Sequence, residues 1–208
     1  MNVTIIDYGV GNLRSLRRGL ERADATVSVS DDPDEIASAE ALVLPGVGAF
    51  GECVRNSRQF HDVLVEVAED TPILGICVGL QLLFTESTEG VPAGETIDGL
   101  DLIPGRVDRL PSDAVKVPHM GWNELSIERE HPIVAGVAED EYAYFVHSYR
   151  SDVADHTVAS CAYGGEFAAV AANEAGNVMG TQFHPEKSGQ TGLRILGNFV
   201  AYAEEHGI

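Results

Sequence analysis

The chain has 208 residues, of which 44% are hydrophobic, and this is enough for one compact α/β domain. We expect a single domain over residues 1–208. The formal charge of −20, from 33 acidic and 13 basic residues, argues against nucleic acid as a partner. No apolar run is long enough to span a membrane, and MNVTIIDYG does not resemble a signal peptide. We therefore expect no membrane partner and a cytoplasmic location.

The acidic residues are spread along the chain in short groups such as DDPDE and AEDE. Their plain interpretation is a solvated surface. We also expect an acidic proteome in a salt-rich cytosol, because salt screens the repulsion among these carboxylates. Stability that rises with salt concentration would support this hypothesis.

Strands and helices alternate through the first half of the chain. Residues 3–6 predict a buried strand, and leucines at helical spacing follow it. Further strands are predicted for TVSVS (26–30), ALVLPG (41–46) and PILGIC (72–77), and helical segments for DDPDEI (31–36), residues 60–69 and VGLQLLF (78–84). Repeated units of this kind predict a mostly parallel, doubly wound sheet with helices on both faces.

After residue 95 the sequence consists of short strand-like pieces that Gly and Pro separate. These pieces predict antiparallel hairpins. An amphipathic helix is predicted for TGLRILGNFVAYAEEH (191–206). The fold class that we expect is therefore α/β, with a mostly parallel sheet, flanking helices and an antiparallel C-terminal portion.

Cys77 stands out among the three cysteines because GICVG places it between two glycines, where a strand gives way to a helix. The cysteines form no CxxC pair, which argues against a disulfide framework and against a metal site. In a strand-turn-helix elbow, the nucleophile needs small neighbours two residues away on each side. Most lone cysteines are simply small buried residues. The elbow alone leaves both interpretations open, and the interpretation of Cys77 as a nucleophile needs further support from the sequence.

A cysteine nucleophile needs a base, and the base needs a group that orients it. TQFHPEKSG (181–189) supplies His184 and, two residues later, Glu186. We expect Glu186 to accept a hydrogen bond from one imidazole nitrogen while the other nitrogen faces Cys77. The Gly-rich loop LPGVGAFG (44–51) follows the third strand and is predicted to supply oxyanion N–H groups together with Val78.

GICVGLQ, PGVGAFG and HPEKS resemble the class I, triad-type glutamine amidotransferases. DYGVGN, PHMGWN and FVHSYR narrow the resemblance to the glutaminase subunits of imidazole glycerol phosphate synthase. The resemblance implies that L-glutamine is hydrolysed to glutamate and ammonia. It also implies that the ammonia passes to a cyclase subunit, in a heterodimer that makes imidazole glycerol phosphate and AICAR in histidine biosynthesis.

The same resemblance implies roles for individual residues. Cys77 would be the nucleophile, His184 the acid and base, and Glu186 its orienter. Val47 and Val78 would give oxyanion N–H groups. Contacts to glutamine are implied for Gly48, Gln81, Ser148 and Tyr149. The family uses no metal and no organic cofactor.

The partner interface is the least defined of these expectations. The resemblance places the DYGVGN loop, with Asn12, near the partner, and we add Lys187. His119, Trp122 and Asn123 belong either to the core or to the interface, and the sequence leaves both interpretations open. A dinucleotide site in DYGVGN is disfavoured because Arg14 replaces the third glycine of that fingerprint.

Three other functions stay open. The chain could be a triad glutaminase for another synthase, a non-catalytic adaptor of the same fold, or a cysteine hydrolase of γ-glutamyl peptides. The partner synthase would identify the first. Absence of glutamine turnover even with the partner would favour the second, and activity on substituted amides without a partner would favour the third.

Overall fold

The computed structural model describes residues 1–207, which form fourteen strands and six α-helices. The strands are β1 (Asn2–Ile6), β2 (Thr26–Ser30), β3 (Leu42–Gly46), β4 (Ile73–Cys77), β5 (Phe84–Ser87), β6 (Ile97–Asp98), β7 (Ile103–Arg109), β8 (His119–Glu124), β9 (Ser126–Ile127), β10 (Tyr142–His147), β11 (Tyr149–Ser151), β12 (Thr157–Ala162), β13 (Glu166–Ala172) and β14 (Val178–Thr181). The helices are α1 (Leu13–Glu21), α2 (Pro33–Ala37), α3 (Phe50–Ser57), α4 (His61–Val67), α5 (Val78–Leu83) and α6 (Gly189–His206).

The central sheet has eight strands in the order β2-β1-β3-β4-β14-β13-β12-β9. The five strands from β2 to β14 are parallel to their neighbours, and the remaining three pair antiparallel. β3 and β4 are buried along their whole length, as expected for parallel strands that are covered on both faces. The predicted fold class is confirmed.

Two smaller units lie beside the central sheet. β8 and β10 form an antiparallel pair, and β11-β7-β5-β6 form a four-stranded sheet. The prediction of antiparallel pairing after residue 95 is wrong in two places, because β14 pairs parallel with β4 and β7 pairs parallel with β5. In both places the partner strand belongs to the first half of the chain, and hairpin signals in the sequence report only pairing between neighbours.

Most predicted elements lie where the pattern placed them. α6 begins at Gly189 and not at residue 191. α5 ends at Leu83 because Phe84 adopts an extended conformation and begins β5. Buried apolar side chains from both halves of the chain form one hydrophobic cluster. No helix within residues 1–207 is long and apolar enough to cross a membrane.

Candidate active site

Cys77 is the last residue of β4 and directly precedes α5, at the carboxyl end of a central strand. Its backbone has φ +56° and ψ −112°, a conformation that a residue with a Cβ rarely adopts. Such a conformation costs about 1–3 kcal/mol and persists only where the surrounding structure holds it. The elbow that the sequence predicts is therefore present, and strain is stored at the candidate nucleophile.

The glycines on either side of Cys77 permit the close crossing of strand and helix. A Cβ on Gly79 would lie 1.9 Å from the carbonyl oxygen of Leu44, and a Cβ on Gly75 would lie 2.8 Å from the backbone of Gly79. Real side chains do not tolerate such contacts. The prediction that small residues are needed two positions away on both sides is confirmed.

His184 and Glu186 are hydrogen-bonded to each other behind the elbow. Nδ1 of His184 lies 3.0 Å from Oε1 of Glu186, and the two side chains are 5% and 3% exposed. Within residues 1–207, the second carboxylate oxygen of Glu186 is buried and has no hydrogen-bond partner. Since Nδ1 is engaged by the carboxylate, Nε2 is the nitrogen that is free to exchange a proton in the cavity.

The pKa of His184 is raised above its ordinary value of 6.5. Burial lowers this pKa, but the close contact with Cys77 and the hydrogen bond and charge of Glu186 raise it more, and it reaches about 9. At neutral pH the imidazole is therefore protonated. A protonated Nε2 can serve as the acid in amide cleavage.

A cavity of about 310 Å³ brings the predicted site residues together. Eight of them line it: Val47, Gly48, Cys77, Val78, Gln81, Ser148, Tyr149 and His184. Glu186 lies outside the lining, behind the imidazole, which is where an orienting carboxylate belongs. The cavity therefore offers space for one small substrate with the candidate nucleophile and acid on its wall.

Gln81 is held in place by two hydrogen bonds. Its Nε2 donates to the carbonyl of Tyr149 and to Oε1 of Gln182, both at 3.0 Å. Both amide hydrogens are therefore engaged, and only Oε1 of Gln81 can accept a hydrogen bond from a ligand. Gln81 is therefore a candidate acceptor for a hydrogen bond from the ammonium group of a bound amino acid.

Gln182 is a site residue that the sequence reasoning missed. Its Nε2 lies 3.8 Å from Sγ of Cys77, within reach of a weak hydrogen bond. A signal was present, because alternate residues of an extended segment share a face and Gln182 stands two residues before His184. Sγ of Cys77 also lies 3.8 Å from the carbonyl oxygen of Val146. In residues 1–207 no aligned hydrogen bond joins Sγ to His184, and such contacts often tighten only when substrate binds.

His147 also lines the cavity and was not predicted. It hydrogen-bonds to His119 at 3.0 Å, between Nε2 and Nδ1. Burial lowers the pKa of His147 to about 3 and that of His119 to about 4, so both rings are neutral at physiological pH. Protonated His184 and neutral His147 thus face the same cavity in different charge states.

The residues proposed for the interface fall into two groups. His119 is only 3% exposed and stacks on Tyr163, so its side chain supports β8 from within and is not available to a partner. Asn12, Trp122 and Lys187 are exposed, and the side chain of Asn123 donates to the carbonyl of Ala162. Trp122 is 54% exposed, which removes its interpretation as a core residue.

The other two cysteines are unsuited to catalysis. All three cysteines are free, in agreement with the prediction of no disulfide. Burial raises the pKa of Cys53 to about 11 and that of Cys161 to about 12, so both remain thiols at neutral pH. Only Cys77 combines a strained elbow with a position on the cavity wall.

Comparison with known proteins identifies the family to which the chain belongs. Residues 4–203 match the family model described as glutamine amidotransferase class-I. The chain is 56% identical to the imidazole glycerol phosphate synthase subunit HisH of Natronomonas pharaonis, over 98% of this chain and 95% of that protein. It is 49% identical to the HisH subunit of Syntrophotalea carbinolica, over 95% of this chain and 98% of that protein.

Solved structures share the fold at lower identity. The structure of PurLQS from Thermotoga maritima superposes with a TM-score of 0.74 at 21% identity, covering 97% of this chain and 98% of that chain. A structure described as a glutamine amidotransferase gives a TM-score of 0.73 at 18% identity, with the same coverage. At such identities the likeness shows the fold alone.

Proposed function

Because this chain belongs to the glutamine amidotransferase class-I family, and within it to the imidazole glycerol phosphate synthase HisH subunits, we propose how its residues hydrolyse glutamine. It is a glutaminase subunit that acts in histidine biosynthesis. One observation carries the mechanism. Cys77, in a strained elbow on the cavity wall, shares the cavity with His184, whose other nitrogen is hydrogen-bonded to Glu186.

The first half of the reaction forms a thioester. The thiolate of Cys77, whose proton is held by His184, attacks the side-chain amide carbon of glutamine, and the carbonyl oxygen becomes an oxyanion. Backbone N–H groups of Val47 and Val78 stabilise that charge. His184 then gives its Nε2 proton to the amide nitrogen, the carbon–nitrogen bond breaks, and ammonia leaves.

The second half of the reaction regenerates the enzyme. Neutral His184 takes a proton from water, and the resulting hydroxide attacks the thioester carbon. The carbon–sulfur bond breaks, glutamate leaves, and the sulfur of Cys77 again faces a protonated imidazole. Glu186 stabilises the positive imidazolium at the start and end of the cycle. Gly48, Gln81, Ser148 and Tyr149 hold the amino-acid part of the substrate.

Ammonia that reached water at neutral pH would be protonated and lost as a nucleophile, so we assign delivery to a cyclase subunit in a heterodimer. The exposed face of the β8–β10 pair supports a docking surface beside the cavity. Met120 and Trp122 are 65% and 54% exposed on β8. Directly opposite them on β10 are Val146, which lines the cavity, and Tyr144.

We place the partner on this apolar face, with Asn12, Asn123 and Lys187 at its margin. Exposed aromatic residues in an apolar patch are typical anchors of protein interfaces. We assign a cytoplasmic location to the heterodimer, and lyase chemistry to the complex as a whole. The charge of −20 supports the hypothesis of a salt-rich cytosol and an acidic proteome.

A glutamate-release assay tests the function. Glutamate formation is measured with the chain alone, with the cyclase subunit, and with the cyclase subunit and its ribonucleotide substrate. We expect release in the complete system, and no release there would reject the function. Trp122→Ala should weaken binding of the cyclase subunit, whereas Val65→Ala, at an exposed position on α4, should not. Equal effects of the two variants would place the interface elsewhere.

A further inference from the structure

Two buried side chains outside the cavity hydrogen-bond to the backbone at the end of β3 and in the loop that follows it. The hydroxyl of Tyr8, in the segment after β1, donates to the carbonyl of Pro45. The thiol of Cys53, on α3, donates to the carbonyl of Val47 at 3.4 Å. Tyr8 and Cys53 are both buried, so their two donor groups are shielded from water.

Tyr8 and Cys53 also lie within hydrogen-bonding reach of each other. A hydroxyl and a thiol carry one hydrogen each, and each hydrogen is directed to its own carbonyl. Burial raises the pKa of Tyr8 well above its ordinary value and that of Cys53 to about 11. Both groups therefore keep their hydrogens at neutral pH and remain donors.

The two carbonyls lie on either side of a single peptide, the one between Gly46 and Val47. Within residues 1–207, no side chain hydrogen-bonds to the carbonyl of Gly46 or to the N–H of Val47, so this peptide lacks the side-chain support that its two neighbours have. It also lies against the elbow. Gly46 pairs with Cys77, and a Cβ on Gly46 would come 2.3 Å from the backbone nitrogen of Gly79.

We propose that Tyr8 and Cys53 are positioning residues, which hold the peptides on both sides of Gly46–Val47 so that this one peptide can change orientation alone. The inference rests on the proposed glutaminase function, because the N–H of Val47 is the proposed oxyanion donor. Neither side chain reaches substrate, and both act through the backbone. Glycine at position 46 lowers the steric barrier to such a rotation.

Loss of either donor should spread the rotation over several peptides. The N–H of Val47 would then occupy a range of positions both in the free chain and in the complex with the cyclase subunit and its ribonucleotide, called the loaded complex below. The difference in turnover between those two states should shrink. Binding of glutamine should change little, since an oxyanion exists only during the reaction.

The experiment measures kcat for glutamate release by the free chain and by the complex with the cyclase subunit and its ribonucleotide. Their quotient is the activation ratio. In Cys53→Ala and in Tyr8→Phe this ratio should fall at least about fivefold, with KM for glutamine within about twofold of wild type. Cys53→Ser keeps a donor and should retain more of the ratio than Cys53→Ala. Cys161→Ala removes an equally buried thiol from β12 and should leave the ratio unchanged.

Two results would overturn the positioning role. One is an activation ratio within about twofold of wild type in Tyr8→Phe and in every Cys53 variant that folds. The other is an equal loss in Cys161→Ala, which would indicate a general effect of core disruption. If wild type released no glutamate even in the loaded complex, the glutaminase function would be rejected, and the positioning role with it. Thermal unfolding of each variant shows which ones fold.

Discussion

His184 and Glu186 are joined by a 3.0 Å hydrogen bond between two almost fully buried side chains. The contact uses Nδ1 and so leaves Nε2 of His184 for the reaction. It also holds a negative charge beside the imidazole. The loss of Glu186 therefore changes both the orientation and the proton affinity of His184, whereas the loss of His184 removes the acid itself.

We expect His184→Ala to reduce kcat for glutamate release more than Glu186→Ala does, because an imidazole without its orienter can still transfer a proton. Glu186→Gln keeps an oxygen that accepts the Nδ1 hydrogen bond and loses the charge, so its activity should lie between Glu186→Ala and wild type. All variants are measured in the loaded complex. A larger loss in Glu186→Ala than in His184→Ala would reverse the two roles.

The raised pKa of His184 predicts an alkaline limit to activity. In the proposed reaction protonated His184 is the acid that the leaving ammonia needs, so kcat/KM for glutamate release should fall as the pH rises through about 9. Glu186→Gln removes one cause of the raised pKa and should move this limit to lower pH. A profile that stays flat to pH 10, or a limit that does not move in Glu186→Gln, would contradict the assignment.

The same pKa shift makes a contribution to stability with a defined sign. The folded-state pKa of His184 is about 9 and the unfolded-state value is about 6.5, so folding binds a proton between these values. The contribution is fully present below about pH 6.5 and is lost as the pH rises through about 9. Urea unfolding midpoints of wild type and His184→Gln across this window should converge as the pH rises.

Replacement of Cys77 by alanine separates the source of ammonia from its use. Glutamine-dependent synthesis by the complex should be abolished, because no other group on the cavity wall can form the thioester. Synthesis from added ammonia should remain near wild type, since the cyclase subunit is untouched. Near-normal use of glutamine by Cys77→Ala would reject Cys77 as the nucleophile.

The free chain should be a poor glutaminase. Ammonia released with no acceptor would be wasted. If the Gly46–Val47 peptide rotates as proposed, the free chain lacks the oxyanion donor of Val47, and one missing donor lowers the rate by about 10²–10³. We therefore expect kcat of the free chain to be at least about a hundredfold below that of the loaded complex, with a small change in KM. Full activity of the isolated chain would show that no such latency exists.

Gly79→Ala should be among the most destabilising single changes in the chain. The added Cβ would lie 1.9 Å from the carbonyl oxygen of Leu44, and β3 and α5 would have to separate, at a cost of about 1–3 kcal/mol or more. Gly197→Ala is the matched control, because nothing lies within 4 Å of its new Cβ and alanine favours a helix by about 0.5–1 kcal/mol. Urea unfolding should show opposite shifts of the midpoint. Similar midpoints for both variants would contradict the proposed close crossing.

Sequence patterns predict the parts of the site that depend on neighbouring residues. The glycines beside Cys77 predict the elbow, because a strained turn needs small residues at fixed spacing. His184 and Glu186 stand two residues apart, so one turn brings them together. Continuous apolar runs predict the buried strands β3 and β4, since a strand that is covered on both faces needs apolar residues at every position.

Features that depend on contacts between distant segments emerge from the folded structure and not from the sequence pattern. The sequence left both a core position and an interface position open for Trp122 and His119. The fold exposes Trp122 and buries His119, because only one face of β8 lies against Tyr163. The pKa of His184 could not be read from its motif, since burial and two neighbours act on it in opposite directions. The contacts of Tyr8 and Cys53 with the loop before α3 join three segments. No local pattern records such contacts, because they arise only when the chain has packed.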